Sequence, residues 1–260
     1  MRERPGLGRN AAHVWFVADE EVAGRPGLLA EYRRLLAPDE ERALRRLGDE
    51  RARREYLTAR ALCRTVLSRY ADVDPADWRF ARGEHGRPEI AGPREGARLR
   101  FNLSGTRGLT ACAVTRELDA GVDVEARFPA RGSDGVADRF FSPAEARDLR
   151  ALAPERQPER FLEYWTLKES YIKATGQGLS MPLDRFSFHL DEGPRIRISF
   201  APGSEDTPRL WQFALLRPTP AHVLALALRR PGRAEVEITV RRTLPLRLPG
   251  GAVRRPAARS

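Results

Sequence analysis

The feature that most limits how this chain folds is a repeat. Pro38–Leu44 (PDEERAL) matches Pro143–Leu149 (PAEARDL) at an offset of 105 residues. The same offset sets Tyr56-Leu57 against Phe161-Leu162, Arg60 against Trp165, and Arg64 against Glu169. Farther on, PADWRF at 75–80 resembles PLDRFS at 182–187, and the offset has grown to 107. Each copy therefore reads as a short helix opened by proline, a longer helix, a P-x-D corner, a strand, and further strands. A maintained offset of this kind reads as one supersecondary unit used twice, the alternative being two amphipathic helix pairs that match by composition. The expected fold is α+β, with two pseudo-symmetric lobes, each placing helices on a small antiparallel sheet. The expected boundaries are 11–118 and 119–242. The basic Pro/Gly/Arg-rich segment 243–260 is expected to be a disordered tail. Two related lobes also make a cleft, a favoured place for a ligand.

The local signals agree with this order. Ser142-Pro143-Ala144-Glu145 carries a cap, a first-turn proline and a closing glutamate, which together start a helix. Pro158–Leu179 reads as one long helix that stops near Gly176. Period-2 or β-branched runs predict strands at His13–Ala18, Trp78–Ala81, Leu99–Leu103, Leu109–Thr115 and Gly121–Glu125. Five more are predicted between Arg185 and Val240.

Charge excludes less than it first suggests. The 260 residues carry a net charge of +10. Residues 1–12 contribute +2 and residues 239–260 contribute +6, so the folded span between them is nearly balanced. Nucleic-acid binding, which wants a basic face on the folded body, is disfavoured. No apolar run is long enough to span a membrane, and the N-terminus lacks the apolar core of a secretory signal. Cys63 and Cys112 fall in a predicted helix and a predicted strand, as buried thiols of a reducing compartment do. The expected location is the cytoplasm.

The long helix is chemically unusual. Of 46 Lys and Arg residues only Lys168 and Lys173 are lysines, five residues apart on that one helix. Lysine is a compact charge that can release its proton; arginine practically cannot. Phe161, Trp165, Lys168 and Ile172 share one stripe, and Leu162, Thr166, Glu169 and Lys173 the next. Glu169 and Lys173 fit either a functional pair or a surface i,i+4 pair.

Gly121-Val122-Asp123-Val124-Glu125 is the second informative stretch. On a strand, Asp123 and Glu125 share one face, opposite Val122 and Val124. Paired carboxylates repel unless a cation separates them. Oxygen ligands of this kind suit Mg²⁺, with Glu169 as a third ligand and Lys173 near a phosphate. The other reading is a solvated strand face. The four histidines are scattered, and there is no G-x-S-x-G, phosphate-binding loop or dinucleotide fingerprint.

GVDVE at 121–125, W-x-x-K-E-S-x-x-K at 165–173 and G-x-G-L-S at 176–180, with FSPAE at 141–145, resemble the larger, two-lobed 4′-phosphopantetheinyl transferases, the Sfp-type class. The resemblance runs from about Leu36 to about Leu190. It implies an enzyme that moves the phosphopantetheine arm of coenzyme A onto a serine of an acyl or peptidyl carrier protein and leaves 3′,5′-ADP. It implies Mg²⁺, replaceable by Mn²⁺, on Asp123, Glu125 and Glu169. Glu169 is also the implied base, and Lys173 the implied phosphate contact and acid. Coenzyme A is implied to bind Arg87 of a G-R-P turn, Asn102 and Ser104 of an F-N-x-S segment, Lys168, Lys173 and, loosely matched, Arg45 and Arg46. Trp165 completes the motif. Where the family has a histidine after that serine, this chain has Gly105; Arg107 is expected to replace it. A chain holding both lobes is expected to act as a monomer. The competing reading is a non-catalytic coenzyme A- or nucleic-acid-binding protein with a decayed site.

Overall fold

The computed structural model describes residues 6–83, 86–127, 139–178, 181–190, 195–230, 232 and 234–247. These form two units, one comprising the described residues of 6–117 together with 237–247, the other comprising those of 118–236.

The first unit is built on a four-stranded sheet. Strands β1 (Ala11–Ala18), β4 (Leu99–Thr106), β5 (Leu109–Arg116) and β11 (Glu237–Arg242) lie in the order β11-β1-β5-β4. β4 and β5 form a hairpin that turns at Gly108, whose φ of 92° suits glycine. β1 pairs antiparallel with β5 but parallel with β11, from Ala11 against Glu237 to Phe16 against Arg242. One helix, α3 (Glu50–Leu67), covers this sheet; Asp49 caps it by accepting from the Ala52 amide at 2.8 Å. Leu62, Val66 and Leu67 of α3 meet Trp15, Phe101, Cys112 and Val114 in a buried core. Helices α1 (Pro26–Arg33) and α2 (Pro38–Arg45) both begin on proline. A hairpin of β2 (Arg79–Arg82) and β3 (Pro88–Gly92) completes the unit.

The second unit is continuous in sequence. Its antiparallel sheet runs β6-β10-β9, from β6 (Ala120–Ala126), β9 (Trp211–Leu216) and β10 (His222–Arg229). A second hairpin pairs β7 (Phe186–His189) with β8 (Arg197–Phe200). Helix α4 (Pro143–Ala151) precedes α5 (Gln157–Thr175), and Gly176 ends α5 in the left-handed region at φ 71°. Tyr164, Leu167, Tyr171 and Ala174 of α5 pack with Phe186, Phe188, Trp211, Phe213, Ala225 and Ala227.

The α+β class is as expected, and three expectations need correction. Glu237–Arg242 does not close the second unit: it is a strand of the first, and its parallel pairing makes that sheet mixed. Segment 243–247 is packed, with Thr243 buried and Leu244 and Leu246 against the first core; 248–260 lies outside the described residues. On α5 the core stripe runs through Tyr164, Leu167 and Tyr171, while Phe161 and Trp165 flank it half-buried. Trp165 meets Phe140 edge-on and stacks with Phe161. Among the described residues, no helix is long and apolar enough to cross a membrane.

Candidate active site

Strand β6 and helix α5 bring the chemistry together, and small residues let them do so. Gly121 lies opposite Ala227, and Asp123 opposite Ala225, across the β6–β10 pairing. A Cβ on Gly121 would overlap the Ser170 carbonyl and the Ala174 amide of α5. The helix backbone therefore rests directly on the strand. The face that carries Asp123 is the one that receives the helix, which turns the paired-carboxylate strand inward rather than toward water.

On that face Lys173 donates from Nζ to Asp123 Oδ1 at 2.6 Å. Asp123 is buried, with 4% of its surface exposed, and Lys173 is partly open. Glu169, one turn earlier on α5, points into the same region. Burial raises its pKa above the ordinary carboxylate range and the Asp123 charge adds to the rise, while Lys173 opposes it. Its Oε1 is buried without a hydrogen-bond partner. A buried carboxylate oxygen without a donor beside a second carboxylate is a place for a cation.

The donor set fits Mg²⁺ in a limited way. Among the described residues no three His, Cys, Asp or Glu side chains enclose an ion-sized space, so the expected Asp123–Glu125–Glu169 triad is not assembled as a cage. Glu125 sits half-exposed two residues along β6, against Val223. Magnesium, however, is usually held by one or two carboxylates with the rest of its shell from substrate phosphates and water. Asp123 and Glu169 match that need.

Lys168 is not where the resemblance puts it. It is fully buried. Its Nζ lies 2.8 Å from Glu145 Oε2 and donates to the carbonyls of Leu183 at 2.6 Å and Phe186 at 2.8 Å. The same nitrogen stands 4.3 Å from the centre of the Phe186 ring. An ammonium has three donors, and all three are engaged within the protein. Burial lowers its pKa, and Glu145 opposes the shift. Glu145 is equally engaged. Its Oε2 accepts from the Ser142 amide at 2.9 Å and its Oε1 from the Phe188 amide at 2.8 Å. The capping glutamate read from the sequence thus also serves as the counter-ion of Lys168, a role its position on α4 did not reveal.

The remaining expected coenzyme A residues belong to the first unit. Asn102 and Ser104 are buried on β4, on the face opposite Phe101 and Leu103. Arg87 is half-buried beside Gly86, whose φ is 78°. Gly105 and Arg107 are exposed near the β4–β5 turn. Arg45 and Arg46 end α2 in solvent, and Arg45 pairs with Glu41 at 3.1 Å. Leu179 and Ser180 of the G-x-G-L-S run, and His85, lie outside the described residues.

Residues 119–227 match the model of the 4′-phosphopantetheinyl transferase superfamily. The Sfp 4′-phosphopantetheinyl transferase of Bacillus subtilis strain 168 is 34% identical over 163 residues, 63% of this chain and 70% of that protein. This chain belongs to the 4′-phosphopantetheinyl transferase superfamily. A second Bacillus subtilis 4′-phosphopantetheinyl transferase is 38% identical over 55% of this chain and 62% of its own length. HetI of Nostoc is 29% identical over 83% of this chain and 86% of its own. The superfamily match covers β6, α4, α5 and most of β10, the elements that carry Asp123, Glu169 and Lys173.

Proposed function

We propose that this chain transfers the 4′-phosphopantetheine arm of coenzyme A to a serine of an acyl or peptidyl carrier protein, with Mg²⁺ as cofactor. The observation that carries the reading is the grouping on β6 and α5: Lys173 on Asp123 at 2.6 Å, beside a Glu169 oxygen that is buried and has no hydrogen-bond partner. Superfamily membership supplies the reaction class.

Asp123 and Glu169, with Glu125 at the edge, would hold the metal. When bound, Mg²⁺ supplies charge neutralisation at the pyrophosphate. The chain's own groups do the rest. Glu169, on the same face as Asp123, takes the proton of the attacking serine. The serine Oγ–P bond forms as the pyrophosphate P–O bond breaks. The departing 3′,5′-ADP keeps the electron pair, and the Lys173 ammonium stabilises the charge that develops there. Coenzyme A is proposed to use Arg87, Asn102 and Ser104, with Arg107 taking the place of the family histidine at Gly105. Arg45 and Arg46 are weaker candidates, since both are exposed.

The reading extends to a monomer acting in the cytoplasm. The unpaired thiols Cys63 and Cys112 support a reducing compartment, and a hydrogen bond to Cys63 that favours the neutral thiol, together with burial, raises the Cys112 pKa. The test is mass spectrometry of apo-carrier proteins incubated with coenzyme A and Mg²⁺. The expected result is a mass gain equal to the phosphopantetheine arm, lost on Asp123→Asn. No gain with fatty-acid, polyketide and peptide carriers, together with salt-sensitive DNA binding, would overturn the reading in favour of a non-catalytic binder.

A further inference from the structure

The geometry points to Lys168 as a positioning residue for Glu169, a role that the sequence motif does not distinguish from ligand contact. We infer that its buried ammonium fixes the rotation and the axial position of α5, and so sets Glu169 against Asp123.

Tyr164, Tyr171 and Lys173 tie α5 to Asp148, Asp206 and Asp123, and two further restraints act at the level of Glu169. On one side Gly121 admits the helix backbone, and this contact limits how closely the helix sits but not how far it slides or turns. The other restraint is Lys168, whose single nitrogen joins Glu145 of α4 to the carbonyls of Leu183 and Phe186 just before and within β7. Glu145 in turn holds the Ser142 and Phe188 amides. Glu169 is the next residue after Lys168. A slip of one residue would move the helix by about 1.5 Å and turn it by about 100°, enough to carry Glu169 away from Asp123. Gly121 supplies no directional contact against this; the three bonds of Lys168 do, together with those of Tyr164 to Asp148 and Tyr171 to Asp206, and the Lys168 bonds are made by the residue that adjoins Glu169.

The chemistry of the site also explains why this residue is lysine in a chain that otherwise writes arginine. Three oxygen acceptors converge on one point, at 2.6, 2.8 and 2.8 Å. A compact ammonium satisfies them; a guanidinium spreads its donors over a planar fork and does not. In the first unit a buried Arg64 serves spaced acceptors instead. It donates to Glu40 from Nη2 and to the Pro75 and Trp78 carbonyls from Nη1. That pair lies wholly within the first unit, which makes it the internal control.

The proposal rests on the transferase reading for its consequence, but its geometry can be tested apart from activity. The experiment compares wild type, Glu145→Gln/Lys168→Met and Glu40→Gln/Arg64→Met, each full length and first shown to be folded by circular dichroism. Lys168→Arg and Glu145→Gln/Lys168→Arg are carried in parallel. The readouts are Mn²⁺ affinity by electron paramagnetic resonance, metal-free coenzyme A affinity, kcat on a carrier protein, and a crystal structure. The expected result for Glu145→Gln/Lys168→Met is a Glu169 carboxylate displaced from Asp123 in the crystal. Mn²⁺ binding should weaken at least tenfold and kcat should fall at least tenfold, with coenzyme A affinity unchanged. Arginine at 168 should restore none of this, and Glu40→Gln/Arg64→Met should leave Mn²⁺ affinity and Glu169 in place. A folded Glu145→Gln/Lys168→Met protein with Glu169 and Mn²⁺ affinity unchanged overturns the proposal. Weaker coenzyme A binding at unchanged Mn²⁺ affinity also overturns it, and returns Lys168 to the role of a ligand. If wild type neither binds Mn²⁺ nor modifies a carrier, the transferase reading fails, and the crystal structures alone decide the role of Lys168.

Discussion

The two units solve one packing problem with the same device and then part ways. In each, a proline-opened helix offers a glutamate to a buried cation on the next, longer helix. The cation also holds two carbonyls of the segment that follows, and packs on a phenylalanine. Glu40, Arg64, Pro75, Trp78 and Phe80 do this in the first unit. Glu145, Lys168, Leu183 and Phe186 do it in the second. The structural partner of Lys168 is therefore Arg64, which shifts the helix register of the repeat by one residue from the alignment that set Arg64 against Glu169. In the shifted register Thr65 stands where Glu169 does, and Arg69 where Lys173 does. The difference then becomes chemical. Lys173 meets a buried carboxylate on β6, whereas Arg69 stacks over Trp15 on β1 at 4.5 Å and donates to Thr243 and to the Arg247 carbonyl. Thr65 accepts from the Leu246 amide. The place that is polar and available in the second unit is filled in the first by an indole and by the segment 243–247.

The largest break in the comparison should come from Glu169→Gln. The proposed loss of a general base predicts a fall in kcat of about 10²–10⁴ in a carrier-loading assay. Thr65→Val, at the matching place in the first unit, should leave kcat near wild type. Next come the shared ion pairs. Glu40→Ala and Glu145→Ala each strand a buried cation, and each should cost about 3–5 kcal/mol in urea unfolding. A loss confined to one of them would show that the device is not shared. Gly121→Ala should cost about 1–3 kcal/mol, because the added methyl drives α5 off the strand, and should weaken Mn²⁺ binding in titrations. Arg107→Ala should raise the coenzyme A KM several-fold with little change in kcat; an unchanged KM sinks its proposed role. The smallest effect is in pH. Glu169 has a raised pKa in the folded protein, so folding favours its protonated form. That contribution is complete below the ordinary glutamate range and is lost as pH rises through the raised value. The gap in melting temperature between metal-free wild type and Glu169→Gln should therefore widen in favour of the variant with rising pH.

Much of this was legible in the residues. Helix starts at Pro38 and Ser142, the stop at Gly176 and most strands follow from caps and periodicity, because those signals act locally. Asp123, Glu169 and Lys173 can be singled out as candidates because D-x-E alternation and an i,i+4 pair are themselves local geometry. The fate of Lys168 was not legible. Whether a lysine faces a ligand or a carboxylate depends on Glu145, 23 positions earlier in the chain, and on carbonyls that carry no sequence identity. The parallel pairing of β1 with β11 was hidden for the same reason, since strand partners far apart in sequence leave no local trace. The hairpin strand Pro88–Gly92 was missed because its run is short, proline-led and half-exposed.

The pairing of Ala11–Ala18 with Glu237–Arg242 also bears on synthesis. A ribosome normally releases an N-terminal domain that can fold while the rest is still being made. Here Ala11–Ala18 waits for Glu237–Arg242, while residues 118–236 leave the tunnel as one uninterrupted unit. The second unit can thus settle before the first, and a nascent chain halted before position 237 leaves Ala11–Ala18 without its β11 partner. Such an edge is a template for aggregation, so the strand Glu237–Arg242 also shields the sheet it completes.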